Sequence, residues 1–249
     1  MLKENDILLD SIEKKIDQCI VYGKFTSSSF LDMRQRHLAE GLCRRQKGLS
    51  YTFYGGYQDA ERTVAVFLPE YTSLEDNNPL TLLRITQNGH EELSHRDYLG
   101  SLVGLGIKRE MVGDILVRKC GADIIVLKNI ADFLLLHYEK AGRVNLQVEI
   151  VPIESLIIPD ARFEIKRHTV ASLRFDSVVA TAFSMSRSSA VQAINDGIAY
   201  INSQQCEKID RIVKEGDKLT LRGKGKAILE NVGCVTRKDR TAIVIKRYL

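Results

Sequence analysis

The sequence has no strong excess of one charge, no paired-cysteine motif and no long apolar run. Its 249 residues carry 36 Lys+Arg against 32 Asp+Glu, a formal net charge of +4. So small a sum excludes a uniformly basic, histone-like binder, but not a local basic patch. The five cysteines, Cys19, Cys43, Cys120, Cys206 and Cys234, form no C-x-x-C pair and are odd in number. That argues against a disulfide framework or a zinc site and fits a reducing cytosol. The longest aliphatic runs, such as Ile124 to Leu127, are four residues, far short of a membrane span. The opening Met-Leu-Lys-Glu-Asn-Asp has no apolar signal core. There is no repeat and no low-complexity tract. A soluble cytoplasmic protein is expected. The apolar share of 44% and charged share of 27% exclude chain-wide disorder, a collagen and a coiled-coil rod.

The length predicts two or three domains. Residues 1–171 carry 22 basic and 24 acidic side chains, a sum of −2, whereas residues 172–249 carry 14 and 8, a sum of +6. The functional reading is a basic module on a near-neutral body; the plain one is a solvated, Lys-rich surface. Ile12, Ile16 and Ile20, with Leu8 and Leu9, predict an amphipathic helix over residues 6–21. A second helix is expected from Phe30 to Gln46, then strands at Tyr51–Tyr54 and Thr63–Leu68, the latter stopped by Pro69. The acidic stretch Ser73–Pro79 reads as a domain boundary. In the middle segment, Leu80–Thr86, Ala122–Leu127 and Val144–Val151 read as strands. Ser94 with Asp97 three residues on resembles a capping box opening a helix. Lys108–Leu116 reads as another helical turn or two, and Ile130–Ala141 as a helix with Gly142 as its C-cap. The order β-α-β-α-β points to a ferredoxin or RNA-recognition type of sandwich. In the third segment, Phe175, Val178, Val179 and Ala182 mark a short helix, Ser186 caps a second that Gly197 ends, and short strands follow. The expected fold class is multidomain α+β: a small N-terminal domain (1–78), a ferredoxin-like middle domain (79–171) and a C-terminal domain (172–249).

Several catalytic-looking strings fail. His95-Arg96-Asp97 copies the kinase catalytic-loop triplet, but Leu102 stands where that loop needs Asn. Gly100, Gly104 and Gly106 do not spell the dinucleotide fingerprint. His37, His90, His95, His137 and His168 contain no i, i+4 pair. Ser184, Ser186, Ser188 and Ser189 lack a nucleophile elbow and read as cap and turn residues. The middle segment lacks the aromatic signature of a true RNA-recognition motif. A non-enzymatic protein is expected, with no cofactor, no metal, no membrane and no small-molecule substrate.

One pattern survives. Arg174-Phe-Asp176 precedes a helix, Ser186-Arg-Ser188 opens the next, Gly197 to Asn202 follows it, and Gly216-Asp217 precedes the last strands. This ordered set, spanning about fifty residues, resembles the S-four RNA-binding domain. Arg174 and Arg187 stand at the starts of two helices that can pack as a hairpin, and Arg matches phosphate oxygens bidentately. The N–H groups at Ser186, Ser188 and Ser189 also attract an anion, and Gln192 lies further along that helix. Arg222, Lys224 and Lys226, with Arg237, Lys238 and Arg240, can extend the phosphate-contacting surface. The plain alternatives are a salt bridge of Arg174 with Asp176 and lysines kept for solubility.

The whole chain resembles the YlmH family, through the block from Ser94-His-Arg-Asp-Tyr to Val112-Gly-Asp-Ile115 and the closing Arg222-Gly-Lys-Gly-Lys226. The resemblance implies a small N-terminal domain and a ferredoxin-like domain ahead of the S-four domain. It implies binding of structured rRNA or tRNA at the ribosome, on the large subunit with peptidyl-tRNA, in translation quality control. By analogy with small S-four proteins that hold peptidyl-tRNA, the contacting arginines are Arg174 and Arg187. Phe175 and Ser189 depart from the commoner Leu and Glu, on helix faces. The family's genes often neighbour cell-division genes, so a division-associated scaffold is one alternative; an RNA-modifying enzyme with an appended S-four domain is another. His95, Arg96, Asp97, Lys108 and Arg109 form a polar cluster that reads as a second nucleic-acid contact or as a salt-bridged helix cap.

Overall fold

The computed structural model describes residues 2–46, 48–87, 91–159, 163–202, 204–236 and 239–248. His90, Arg237 and Lys238 lie outside them. The chain divides into two compact units, Met1–Pro159 and Asp160–Leu249. Among the described residues no helix is long and apolar enough to cross a membrane.

The first unit begins with α1 (Leu2–Tyr22), β1 (Thr26–Ser27), α2 (Met33–Cys43), β2 (Ser50–Tyr54) and β3 (Val64–Leu68). α2 starts later than the apolar pattern predicts because Asp32 and Gln35 form a capping box, which fixes the entry of the chain into the helix. The strands form an antiparallel sheet in the order β1-β3-β2. Ala65 and Phe67 face α1 and α2, packing with Ile12, Ile16 and Ala39. Val64 and Val66 point the other way, as the two-residue strand period requires.

That second face meets the next sheet. The chain continues through β4 (Leu80–Gln87), α3 (His95–Gly104), β5 (Val112–Arg118), β6 (Gly121–Leu127), α4 (Ala131–His137), β7 (Lys140–Ala141) and β8 (Val144–Val151). The five strands are antiparallel, in the order β5-β6-β4-β8-β7. Leu83, Ile85, Ile124 and Val126 face α3 and α4. Leu82 and Ile125 face back and share a core with Val64, Val66 and Phe30. The unit is therefore four layers, helices outside and two sheets inside, and the 73–79 stretch links layers that share one core.

Two sequence expectations change here. Lys108–Leu116 is helical only over Arg109–Met111 and then becomes β5. A register shift between Val112 and Ile115 marks a bulge that breaks the alternation by which a strand is recognised. The helix expected over Ile130–Ala141 ends at His137, and Gly142, with φ +60°, turns β7 into β8 instead of capping a helix. The order is thus β-α-β-β-α-β-β, with two more strands than expected, β5 and the two-residue β7.

The second unit contains β9 (Phe163–Val170), α5 (Phe175–Ala182), α6 (Arg187–Asn195), β10 (Ala199–Ile201), β11 (Gln204–Gln205), β12 (Lys218–Leu221), β13 (Gly225–Val235) and β14 (Thr241–Tyr248). Its sheet runs β11-β10-β12-β13-β14-β9. β9 lies in the segment that the sequence assigns to the middle domain, yet all eight of its residues pair with β14. α5 and α6 cover one face of the sheet through Phe175, Val179, Ala190 and Ile194, packed on Leu219, Leu229, Ile243 and Ile245. With β9 included, residues 160–249 hold 17 basic and 10 acidic side chains, a net of +7.

Candidate nucleic-acid interface

The helix pair is built around one buried carboxylate. Arg174 has the extended backbone of an N-cap, and its neighbours are locked by Phe175 N–H donating to Arg211 O at 2.8 Å and Val213 N–H to Leu173 O at 2.9 Å. Asp176 follows in the first turn of α5, where the helix dipole favours an acid. Its side chain is 2% exposed. Arg174 Nε donates to Asp176 Oδ1 at 3.2 Å, and Ser177 N–H to the same oxygen at 2.9 Å. Arg187 Nε and Nη2 donate to Asp176 Oδ2 at 2.9 and 2.8 Å. Burial by itself would raise the Asp176 pKa, but the hydrogen bonds from Arg187 and Arg174 outweigh it and hold it below the usual carboxylate value. The two arginine side chains remain 39% and 58% exposed. The structural salt bridge and an outward-facing guanidinium thus coexist, because a guanidinium carries more N–H donors than this carboxylate takes.

The serines at the start of α6 do what their positions predict. Ser186 Oγ accepts from Ser189 N–H at 3.1 Å and contacts the Ser188 and Ser189 hydroxyls at 2.9 and 2.7 Å. Gln192 is exposed on the same helix and donates to Asp196 Oδ1 at 2.8 Å. Arg222 and Lys224 sit exposed on the tight β12–β13 turn, where Gly223 has φ +81°. Arg222 N–H donates to Ile198 O at 3.0 Å, so this turn lies beside the exit of α6, away from Arg187 at its entrance. Lys226 is half-buried at the start of β13. Arg240 binds back onto β9, donating to Thr169 Oγ1 at 3.0 Å and Thr169 O at 2.6 Å. Asn202 and Asp217 meet directly at 2.7 Å, so those two motif positions tie strands together.

The cluster in the first unit is split. His95, Arg96 and Lys108 are exposed, while Asp97 accepts from Ser94 N–H at 2.8 Å and completes the capping box. Desolvation, then the Arg109 charge, push the His95 pKa down. Arg109 turns inward: its Nη1 donates to Val112 O and, at 3.1 Å, to Gly113 O. Desolvation, then the nearby Arg62 charge, lower its pKa to about 10. Arg62 Nε reaches the same Val112 O at 3.1 Å. Buried Asp114 accepts from Tyr57 Oη, Glu61 N–H and Arg62 N–H at 2.8, 2.7 and 3.1 Å. Arg109 thus serves the β5 bulge.

Sequence reasoning missed a second arginine–aspartate–arginine set. Asp123 on β6 stands opposite Arg84 on β4 and is fully buried. Arg84 donates to it at 3.1 and 2.9 Å, Arg118 lies at 3.1 Å, and Ile157 N–H donates at 3.0 Å. Its pKa is also lowered: burial raises it, and Arg84, the Ile157 N–H and Arg118 overcome that. No short motif announces a pair 39 residues apart. Among the described residues no cluster of His, Cys, Asp and Glu is placed to hold a metal ion.

These two sheet-and-helix units define a multidomain α+β protein. A family model described as "Putative RNA-binding domain in YlmH" matches residues 75–155. The chain is 32% identical over 222 residues to "Ribosome-associated protein quality control protein P2" of Bacillus subtilis, covering 88% of this chain and 86% of the relative. In fold it is similar to "Cell division protein ylmH" from Streptococcus pneumoniae, with TM-score 0.54, 22% identity, and coverage of 62% of this chain and 94% of the other. The chain belongs to the YlmH family.

Proposed function

We propose that this protein is a non-enzymatic, cytoplasmic RNA-binding factor that works at the ribosome, on the large subunit with peptidyl-tRNA, in translation quality control. The observation that carries the reading is the Arg174–Asp176–Arg187 set. A buried carboxylate fixes the planes of two guanidiniums and leaves both exposed, in a unit of net charge +7. Pre-oriented forks suit the phosphates of a structured RNA, which is read through backbone and shape. The relative from Bacillus subtilis supports the cellular setting by its name. In this reading the second unit is an S-four domain extended by β9. The 4-1-3-2 order of β8-β4-β6-β5 supports reading the middle layer as ferredoxin-like. Ser186, Ser188, Ser189 and Gln192 line the same helix, and Arg222, Lys224 and Lys226 offer further phosphate contacts.

The segment matched by the family model needs a different surface. Its sheet face, used for base stacking in RNA-recognition domains, is covered at Leu82 and Ile125 by the N-terminal sheet. Residues 75–155 carry 9 basic and 12 acidic side chains, a net of −3. The RNA contact proposed there is the exposed set His95, Arg96 and Lys108, with Arg109 behind them. The test is co-sedimentation with large ribosomal subunits. Arg174→Ala with Arg187→Ala should abolish it while circular dichroism stays native; unchanged sedimentation would overturn the site.

A further inference from the structure

The sheet of the second unit has another face, opposite α5 and α6, of which the helix-pair reading uses Lys226 alone. We propose that this face binds single-stranded RNA, stacking bases on Phe163 and Tyr248 and holding phosphates with the cations around them. The proposal rests on the second unit being an RNA-binding module, and it assigns that module a second ligand class.

Register fixes which side chains stand there. Ile243 and Ile245 point into the core and pair with His168 and Lys166, so Phe163, Ile165 and Arg167 point outward with their partners Tyr248, Lys246 and Val244. One cross-strand row reads Ile165, Lys246, Ile228, Lys218 over β9, β14, β13 and β12, alternating apolar and cationic. The row beside it holds Phe163 and Tyr248, whose rings sit 4.8 Å apart at 65°. Lys246 Nζ lies 4.2 Å from the Phe163 ring centre. Ile165 is 64% and Phe163 37% exposed. Glu230 lies 4.0 Å from Lys246.

Apolar side chains on an outer sheet face normally mark a missing cover. Here the interleaved cations identify the cover. Lys246, Lys218 and Arg167 stand among these apolar side chains, so the face matches a partner that is apolar and anionic at once. A single-stranded nucleic acid supplies flat apolar bases and a phosphate at every step. Duplex RNA cannot use the face, because its bases are already stacked.

The experiment compares two ligands on the full chain by fluorescence anisotropy: a labelled twelve-nucleotide oligouridine and a labelled RNA hairpin. Phe163→Leu with Tyr248→Leu should weaken oligouridine binding about tenfold or more, from the loss of stacking, and leave hairpin binding unchanged. Arg174→Ala with Arg187→Ala should do the reverse. Oligouridine binding that survives the aromatic changes would overturn the proposal, as would aromatic changes that weaken both ligands equally. Hairpin binding that survives the arginine changes would instead overturn the helix-pair site, so the two failures are distinct. Photocrosslinking of 4-thiouridine oligomers to the unaltered protein is a second measurement that needs no variant. Adducts on the Phe163 and Tyr248 peptides are expected; adducts confined to α5 and α6 would count against the face.

Discussion

Asp123 and Asp176 hold the same partners in opposite circumstances. Each is a buried carboxylate between two arginines, and each has its pKa held down by them against burial. Around Asp123 the arginine side chains are 23% and 22% exposed, and Arg84 also donates to Ser155 O at 2.6 Å. Around Asp176 they are 39% and 58% exposed. The first set spends most of its donors within the protein, Arg118 Nη2 also reaching Ile85 O while the buried Arg118 Nε has no partner, and it locks strands together. The second spends part of them on orientation and turns the rest outward. An arginine–aspartate contact therefore does not decide between structure and binding; what decides is where the remaining donors point.

The comparison breaks most directly at Asp123. Asp123→Ala leaves two half-buried guanidiniums without their carboxylate and should cost the first unit about 3–5 kcal/mol, read as a lower denaturation midpoint. Hairpin RNA affinity of the surviving folded protein should not change, because the set faces no ligand in this reading. A loss of affinity larger than the loss of folded protein would put Asp123 in the interface.

Next in size is the binding effect at the helix pair. Arg174→Ala with Arg187→Ala removes two phosphate partners, so the slope of log affinity against log salt should fall by about 2. Thermal unfolding of the second unit should also move down, because Asp176, 2% exposed, loses both cation partners, so the slope is read on folded protein. An unchanged slope would mean that the arginines are structural, as in the first set.

How much of this was readable beforehand follows the range of the contacts. Ser94–Asp97 and Ser186–Ser189 were visible because a cap is made three residues away. The Arg174–Asp176 bridge is likewise local. β5 was hidden by its bulge. β9 was hidden because its apolar residues, Phe163 and Ile165, face outward, and its partner strand is about eighty residues downstream. The Arg84–Asp123–Arg118 set and the shared core of Val64, Val66, Leu82 and Ile125 exist only once two sheets are assembled. The caps of α3 and α6 and the Arg174–Asp176 contact were therefore legible, while layer stacking and the second face of the C-terminal sheet were not.

A smaller effect sharpens the meaning of Asp176. Asp176→Asn raises the net charge by one, so if charge alone governed binding the hairpin affinity would rise. If orientation governs, the freed guanidiniums spread over many rotamers and affinity should fall severalfold despite the added charge. A rise would reduce Asp176 to a neutralising group.

The smallest effect lies in the acid limb. Both aspartates have folded-state pKa values below the unfolded one. Their contribution is thus present above the unfolded carboxylate pKa of about 3.9 and is lost as pH falls through the folded value. Asp123→Asn should lower stability at neutral pH and flatten its decline below about pH 4. Asp176→Asn should flatten the same limb less, because its arginines are more exposed and solvent weakens each contact. The contrast is measurable by denaturant titration at successive pH values, following unfolding of each unit. Equal flattening in both variants would erase the energetic difference between the two sets, and with it the inference that one was built for packing and the other for a ligand.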